Sequence, residues 1–191
     1  MANSDLKGKT VGWIGTGRMG YAMAERLLKA GADLSAWNRT KSKAEPLAEL
    51  GATIVDSPAE LADWDIIFTM VGGPADFIEV TKGENGVLAQ DGQVPGLLID
   101  CTSISEEASH EVREFATSVG TSMLDAPVSG NAKVVKAGKL SIVASGAQDA
   151  YDEALPYLEA IAVGVSYVGE GELARMVKIC HNVFLGVVIQ T

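Results

Sequence analysis

The sequence predicts an α/β fold, a doubly wound and mostly parallel sheet with helices on both faces. Three observations carry that prediction. Short apolar runs alternate with amphipathic helical stretches along most of the chain. The first run, residues 11–14, leads straight into Gly15-Thr16-Gly17-Arg18-Met19-Gly20, with a helical stretch after it. The stretches richest in glycine and small polar residues fall where the strands end, the edge at which open α/β sheets bind ligands.

Taken in order, residues 11–14 form the first strand and residues 21–30 a helix stopped by Gly31. Residues 33–38 form a second strand, residues 41–50 a helix closed by Gly51, and residues 52–55 a third strand. Ser57-Pro58-Ala59-Glu60 then reads as a helix start, with Ser57 as N-cap, proline in the first position and an acidic first turn. The strongly apolar residues 65–71 are the fourth strand, and Gly72-Gly73-Pro74 opens a short helix to about Lys82. Residues 83–96 form a glycine-rich loop with a helical turn. A fifth strand at 97–101, a helix at 105–119 and a sixth strand at 122–128 follow. Residues 140–146 alternate in polarity without a long helix before them, which predicts an edge strand of antiparallel sense. Residues 149–162 form a helix interrupted near Pro156, and residues 165–168 a last short strand.

From Glu170 the chain reads as a long helix, with Leu173, Met176, Val177, Cys180, Phe184, Val187 and Val188 near helical spacing. So apolar a helix needs cover, from its own sheet, a second subunit or a further domain. We expect residues 1–168 to form one dinucleotide-binding domain. Residues 169–191 then begin an interdomain helix leading to an all-α domain that is missing here.

Hydrophobic content of 47% and charged content of 21% in 191 residues suit a globular α/β protein and exclude wholesale disorder. The formal net charge of −10, with no block of Lys or Arg, argues against nucleic-acid or anionic-membrane partners. Cys101 and Cys180 are expected as two buried thiols in a reducing compartment rather than a disulfide. The first seven residues lack the apolar core of a signal peptide, and no run is long enough to span a bilayer, so the expected location is cytoplasmic. No Cys/His ligand spacing exists, and the two histidines are His110 and His181, so no metal site is expected.

The glycine segment has the G-x-G-x-x-G spacing between strand and helix. Gly15 allows the tight turn, Gly17 a close backbone approach to a pyrophosphate, and Gly20 close helix–strand packing. The helix N-terminus behind them favours an anion. About twenty residues on, where an acidic residue binds the ribose of NAD, stand Asn38, Arg39 and Thr40, with Lys41 and Lys43 beyond. No carboxylate remains there to repel a 2′-phosphate, and Arg39 can pair with one, so NADP is expected over NAD. Val71 and Gly72 after the fourth strand, Thr102 and Ser103 after the fifth, and Ser129, Gly130 and Asn131 after the sixth converge on the same edge. In the last helix Lys178 and Asn182 lie i, i+4, with His181 beside them. Desolvation of Lys178 would lower its pKa toward a range useful for proton transfer.

With these motifs in hand, the sequence resembles the β-hydroxyacid dehydrogenase family, which includes 3-hydroxyisobutyrate dehydrogenases, over nearly its whole length as the N-terminal half of a longer protein. Residues 15–20 with Met23 and Ala24 are similar to that family's cofactor signature, and Asn38-Arg39-Thr40 to its NADP-preferring form. Asp125-Ala126-Pro127-Val128-Ser129-Gly130 matches its substrate signature, and Gly169-x-Gly171 with Lys178 and Asn182 its catalytic-helix motif. The resemblance implies a Rossmann-type sheet and hydride transfer between NADP(H) and a small 3-hydroxyacid, semialdehyde or 2-oxoacid. It further implies Lys178 as general acid/base positioned by Asn182. Ser129, Gly130, Asn131 and His181 would bind the substrate, with Ser103 near the nicotinamide. A homodimer would form through the helical domain.

Asn131 departs from the family's second glycine. The form Lys178-x-x-His181-Asn182 is shared with 6-phosphogluconate dehydrogenases, but the glutamate that follows in those enzymes is absent. Imine reductases share the fold and usually lack the lysine. They and a non-catalytic dinucleotide-binding module are the alternatives.

Overall fold

The computed structural model describes Leu6 and residues 8–190, excepting the side chains of 189 and 190. The reading of the extreme N-terminus as lacking a signal sequence, and the last residue of the terminal helix, Thr191, lie outside the described residues. Six parallel strands form the main sheet: β1 (Thr10–Ile14), β2 (Asp33–Trp37), β3 (Thr53–Ile54), β4 (Ile66–Thr69), β5 (Leu97–Asp100) and β6 (Ser122–Asp125). Their order is β3-β2-β1-β4-β5-β6. Chain direction across the sheet therefore reverses between β1 and β4, which opens a crevice above their carboxyl ends. The expected doubly wound α/β architecture is present.

Central strands are buried on both faces and accordingly read as apolar runs, each closed by one polar residue, Thr69 in β4 and Asp100 in β5. All four residues of β4 and of β5 are buried, and Trp13 of β1 stacks on Phe68 of β4 with ring centroids 5.2 Å apart. On one face lie α1 (Arg18–Lys29), α4 (Ala132–Lys136) and α5 (Gln148–Ile161); on the other lie α2 (Pro74–Lys82) and α3 (Glu106–Val119). Helix α1 turns Gly20, Ala22, Met23, Ala24 and Leu27 inward, small residues that let it sit close to the sheet. Helix α3 begins at Ser105, whose hydroxyl accepts from the Ala108 N–H, and ends at Gly120 in the left-handed region.

Several expectations are corrected. Residues 41–50 are not an α-helix but two 3₁₀ segments, Lys41–Lys43 and Glu45–Leu50. Pro46 supplies no N–H and disfavours the helical region at Glu45. After Ser57 there is one 3₁₀ turn, Pro58–Leu61, and Ser57 does not cap it. Its hydroxyl donates to the Glu60 carboxylate, which also accepts the Asp56 N–H.

The expected sixth strand splits at Ala126-Pro127, because proline has no donor for the ladder. Beyond it, β7 (Val128–Ser129), β8 (Ser141–Ala144) and β9 (Gly164–Tyr167) form a second sheet. Strand β8 is thus its centre and not an edge, antiparallel to β7 and parallel to β9. The short α4 reverses the chain between β7 and β8, and α5 carries it over to a parallel β9. Helix α5 runs uninterrupted through Pro156. Pro156 and Asp152, the residue whose carbonyl loses its helical donor, are both exposed, so water can serve that carbonyl.

The last helix, α6 (Leu173–Gln190), meets the body only near its start. Ala174 and Arg175 are buried, whereas Met176, Ile179, Val183, Phe184 and Val187 are exposed. Its apolar side does not dock on its own sheet. Cys180 lies on that exposed length, so only Cys101 is a buried thiol. No helix among the described residues is long and apolar enough to cross a membrane.

Candidate functional site

The turn after β1 is shaped by its glycines in three different ways. Gly15 has φ +100°, and a Cβ there would stand 2.3 Å from the Met70 carbonyl oxygen. A Cβ on Gly20 would stand 1.9 Å from the Gly15 carbonyl oxygen, which instead accepts from Trp13 Nε1 at 2.9 Å. Gly17 is the opposite case, since a Cβ there would meet nothing within 4 Å. Gly17 is also the N-cap of α1 and provides no side-chain cap. The first turn of α1 therefore presents backbone donors and positive dipole to open space. Beside it, the Thr16 hydroxyl is buried without a hydrogen-bond partner among the described residues. An open cradle, uncapped donors and an orphaned hydroxyl fit the pyrophosphate of a dinucleotide.

The turn after β2 is tied to this loop. Asn38 Oδ1 accepts the Thr16 N–H at 2.8 Å, and its Nδ2 donates to the Thr40 carbonyl at 2.9 Å. Between them runs a cavity of about 390 Å³, lined by Gly15, Gly17, Arg18, Met19, Gly20, Asn38, Arg39, Thr40, Val71 and Gly72 among others. Ten of the sequence-predicted cofactor residues thus border one space.

The surroundings of Arg39 correct one expectation. A carboxylate does stand there: Asp76, in the first turn of α2, accepts from Arg39 Nη1 at 2.8 Å. Asp76, Glu79 and Lys43 line the same cavity. Lys41 instead pairs with Asp56. Reading only the residues after β2 missed Asp76 because the approaching acid comes from the next crossover but one. Its signal was an acidic residue two positions after Gly72-Gly73-Pro74.

The second group lies away from that cavity. Lys178 Nζ donates to Ser129 Oγ at 3.1 Å, joining residues that the sequence assigned separately to proton transfer and substrate binding. Partial burial pulls the Lys178 pKa below its ordinary value. Gly130 has φ +143°, and a Cβ there would press on Val134 and Leu140. Asn131 caps α4, its Oδ1 accepting from Lys133 and Val134 N–H at 3.0 and 3.1 Å. That leaves its Nδ2 as the side-chain group able to face a ligand. Thr102 Oγ1 accepts the Val71 N–H at 3.1 Å, so the ends of β4 and β5 are pinned together, and Ser103 beside it is exposed. Asn182 and His181, on α6, are exposed, and their side chains make no hydrogen bond among the described residues.

One part of the site was not foreseen. Arg175, one turn before Lys178, is 2% exposed and sits between two buried carboxylates. Its Nη2 donates to Asp100 Oδ2 at 2.5 Å and Asp125 Oδ1 at 2.8 Å, and its Nη1 to the Thr102 carbonyl at 2.5 Å. Ser109 Oγ donates to Asp125 Oδ1 at 2.8 Å and accepts from Arg175 Nε at 3.3 Å. Asp125 Oδ2 lies 2.9 Å from Arg113 Nη2 outside hydrogen-bond geometry, a charge contact only. Burial works against the Arg175 charge, but Asp100 and Asp125 outweigh it and hold the guanidinium ionised. Burial pushes the Asp125 carboxyl above its ordinary value despite both arginines. The signal in the sequence was a cation three residues before Lys178 in an otherwise apolar helix start.

Among the described residues no cluster of His, Cys, Asp and Glu could hold a metal ion. The candidate site thus has two separate parts, the cavity beside the glycine turn and the Lys178–Ser129 pair.

Comparison with known proteins places this geometry. Residues 10–169 match the family model described as the NAD binding domain of 6-phosphogluconate dehydrogenase. The chain is 34% identical over 178 residues to glyoxylate/succinic semialdehyde reductase 2, chloroplastic, of Arabidopsis thaliana, covering 93% of this chain and 49% of that protein. Among solved structures it is similar to a 3-hydroxyisobutyrate dehydrogenase of Mycobacterium tuberculosis with L-serine, with TM-score 0.86 and 30% identity over 94% of this chain and 60% of that one. An imine reductase of Myxococcus stipitatus in complex with NADP+ gives TM-score 0.80 and 27% identity, over 95% of this chain and 63% of that one. The chain spans about half to three-fifths of the length of the curated relatives it matches.

Proposed function

The chain belongs to the family of the NAD binding domain of 6-phosphogluconate dehydrogenase, and from that premise we propose that it is the cofactor-binding part of an NADP(H)-dependent oxidoreductase. Its substrate would be a small 3-hydroxyacid or the corresponding semialdehyde or 2-oxoacid. The single observation that carries this reading is the 3.1 Å contact between Lys178 Nζ and Ser129 Oγ. Binding a dinucleotide needs neither group, so their meeting favours an enzyme over a non-catalytic module.

Residues 15–20 would hold the pyrophosphate through the α1 N-terminus, and Asn38, Arg39 and Thr40 the adenosine side. When bound, the nicotinamide would accept or supply the hydride at the carbinol carbon. Ser129 Oγ and the Gly130 backbone would fix the substrate hydroxyl. Lys178 Nζ would take that hydroxyl's proton on oxidation and return it on reduction, with Asn182 orienting it. NADP preference is supported by Arg39 and opposed by its pairing with Asp76. The free thiols of Cys101 and Cys180 favour a reducing compartment such as the cytoplasm. The exposed apolar length of α6, together with the greater length of the relatives, supports a continuation into a helical domain that closes the site and forms a dimer.

The test is turnover of a panel of semialdehydes and 2-oxoacids with NADPH by the full-length protein, with Lys178→Ala beside it. Loss of about 10²–10⁴-fold in kcat is expected for that variant. Because burial lowers the Lys178 pKa, oxidation should rise with pH to a plateau reached below the ordinary lysine range, and reduction should fall over the same span. Tight NADPH binding with no turnover would favour the module instead. Turnover of a cyclic imine in the same panel would favour the imine reductase reading, which the Myxococcus stipitatus likeness supports.

A further inference from the structure

Stability alone does not account for the Arg175 cluster. A buried ion pair recovers little more than its desolvation penalty, and well-packed apolar side chains of the same volume often do as well or better. Its position is more informative than its charge. The guanidinium reaches Asp100 at the end of β5, the Thr102 carbonyl in the loop carrying Ser103, and Asp125 just before the segment carrying Ser129. Its own backbone belongs to α6, one turn before Lys178. Four pieces of the candidate site, far apart in the chain, therefore share one planar group.

The anchorage of α6 is otherwise slight. Ser145 Oγ accepts the Ala174 N–H at 2.9 Å and donates to the Gly171 carbonyl at 2.7 Å, which fixes the helix start but not its rotation. Arg113 holds the preceding turn through Glu172 at 2.7 Å. From Ile179 to Val188 the helix residues are exposed. Rotation of α6 about its axis, and with it the direction of Lys178, is constrained chiefly at Arg175.

We infer that Arg175 is a positioning residue: its fork on Asp100, Asp125 and the Thr102 carbonyl sets the rotation of α6 and so aims Lys178 at Ser129. The fork geometry matters as much as the charge, because a planar group with fixed donors defines an orientation that an ammonium does not. For turnover this inference rests on the reading of Lys178 given above; for the placement of Lys178 it does not.

The experiment uses the full-length protein and three variants, R175K, R175M and the charge-balanced D100N/D125N/R175M. Removing Arg175 alone strands two buried carboxylates and is expected to destabilise the fold. The triple variant removes that charge imbalance, and a thermal melt verifies that it is folded. The first readout is the pH dependence of trace acetylation at Lys178 by acetic anhydride, followed by peptide mass spectrometry. In wild type the midpoint should lie below that of exposed lysines in the same digest. In the triple variant it should move up to join them, with R175K between, as Lys178 swings away from Ser129 into water. The second readout is kcat and KM, where kcat should fall about a hundredfold in the triple variant, the scale of a 1 Å misplacement, with little change in KM for the cofactor.

A folded triple variant whose Lys178 midpoint matches wild type would overturn the inference. If the midpoint moves but wild type turns over no member of the substrate panel, Arg175 still positions Lys178 and it is the proposed reaction that fails.

Discussion

Gly17 and Gly20 are three residues apart in one turn, yet substitution should affect them for opposite reasons. An alanine methyl at Gly17 meets only open space, so G17A should melt within a few degrees of wild type while losing most of its NADP(H) affinity. At Gly20 the methyl would collide with the Gly15 carbonyl, so G20A should lower both the melting temperature and the affinity. Thermal melts with and without NADP+ separate the two. Asp76 offers a different single-residue test. Its pair with Arg39 is exposed, with Arg39 at 80%, so breaking it costs little in stability. D76N should free Arg39 and remove a carboxylate from the cavity, tightening NADP+ by up to about fivefold and NAD+ much less, as read by titration of each nucleotide. Weaker binding of both would show that Asp76 contacts the ligand itself. At this scale the glycines were legible from their spacing between a strand and a helix, although the structure itself forbids a side chain only at Gly15 and Gly20. Asp76 was not, because its role depends on a neighbour 37 residues away in the chain.

Among elements, the alternation of strands and helices was legible because period and burial agree in long segments. Short segments were decided by single residues that break the period. Pro46 turned an expected helix into 3₁₀ segments, and Pro127 ended an expected strand at Asp125, leaving only its last residue, Val128, in a second sheet. Pro156 was misread in the other direction, since a proline on a wet helix face leaves a carbonyl that water can serve. The neighbouring strands β1 and β4 are clasped at their starts by Asp65, whose Oδ2 accepts the Thr10 N–H at 2.7 Å and the Thr10 Oγ1–H at 2.9 Å. The backbone hydrogen bond from Thr10 is the largest cause holding the Asp65 pKa below its ordinary 3.8. A carboxylate lowered on folding stabilises above the unfolded value, and that contribution disappears as pH falls through the folded one. The difference in Tm between wild type and D65N should therefore be full near neutral pH and shrink below pH 3.8, as thermal melts across that range would show.

For the whole molecule, the candidate site has two parts, the cavity beside the glycine turn and the Lys178–Ser129 pair. That the predicted cofactor residues would meet was legible from spacing, because most of those lining the cavity lie within the first βαβ stretch and its immediate successors. The Arg175 cluster was not, because periodicity says that a helix has an apolar side but not which side meets the body. Here the buried contact is made by Arg175 with the small Ala174, and the large apolar residues point outward. Hydrogen exchange on this 191-residue chain should reflect that division. Amides of β1, β4 and β5 should be slowest, and α6 beyond Lys178 should exchange much faster than its first turn, having few buried contacts to hold it closed. Equal protection along α6 would contradict it, unless the chain associates through that helix, which light scattering would reveal.

The anchorage at Arg175 also makes α6 a lever with a very unequal pair of arms. At about 1.5 Å of rise per residue, Lys178 sits roughly 4.5 Å from the pivot, while Val188 sits roughly 20 Å from it. A tilt of about 10° would move the Val188 backbone by roughly 3.4 Å and the Lys178 backbone by roughly 0.8 Å. Whatever covers the far end can thus breathe by several ångströms with about a quarter of that motion reaching the lysine. The fulcrum is placed so that the reacting end of the helix is the quiet end.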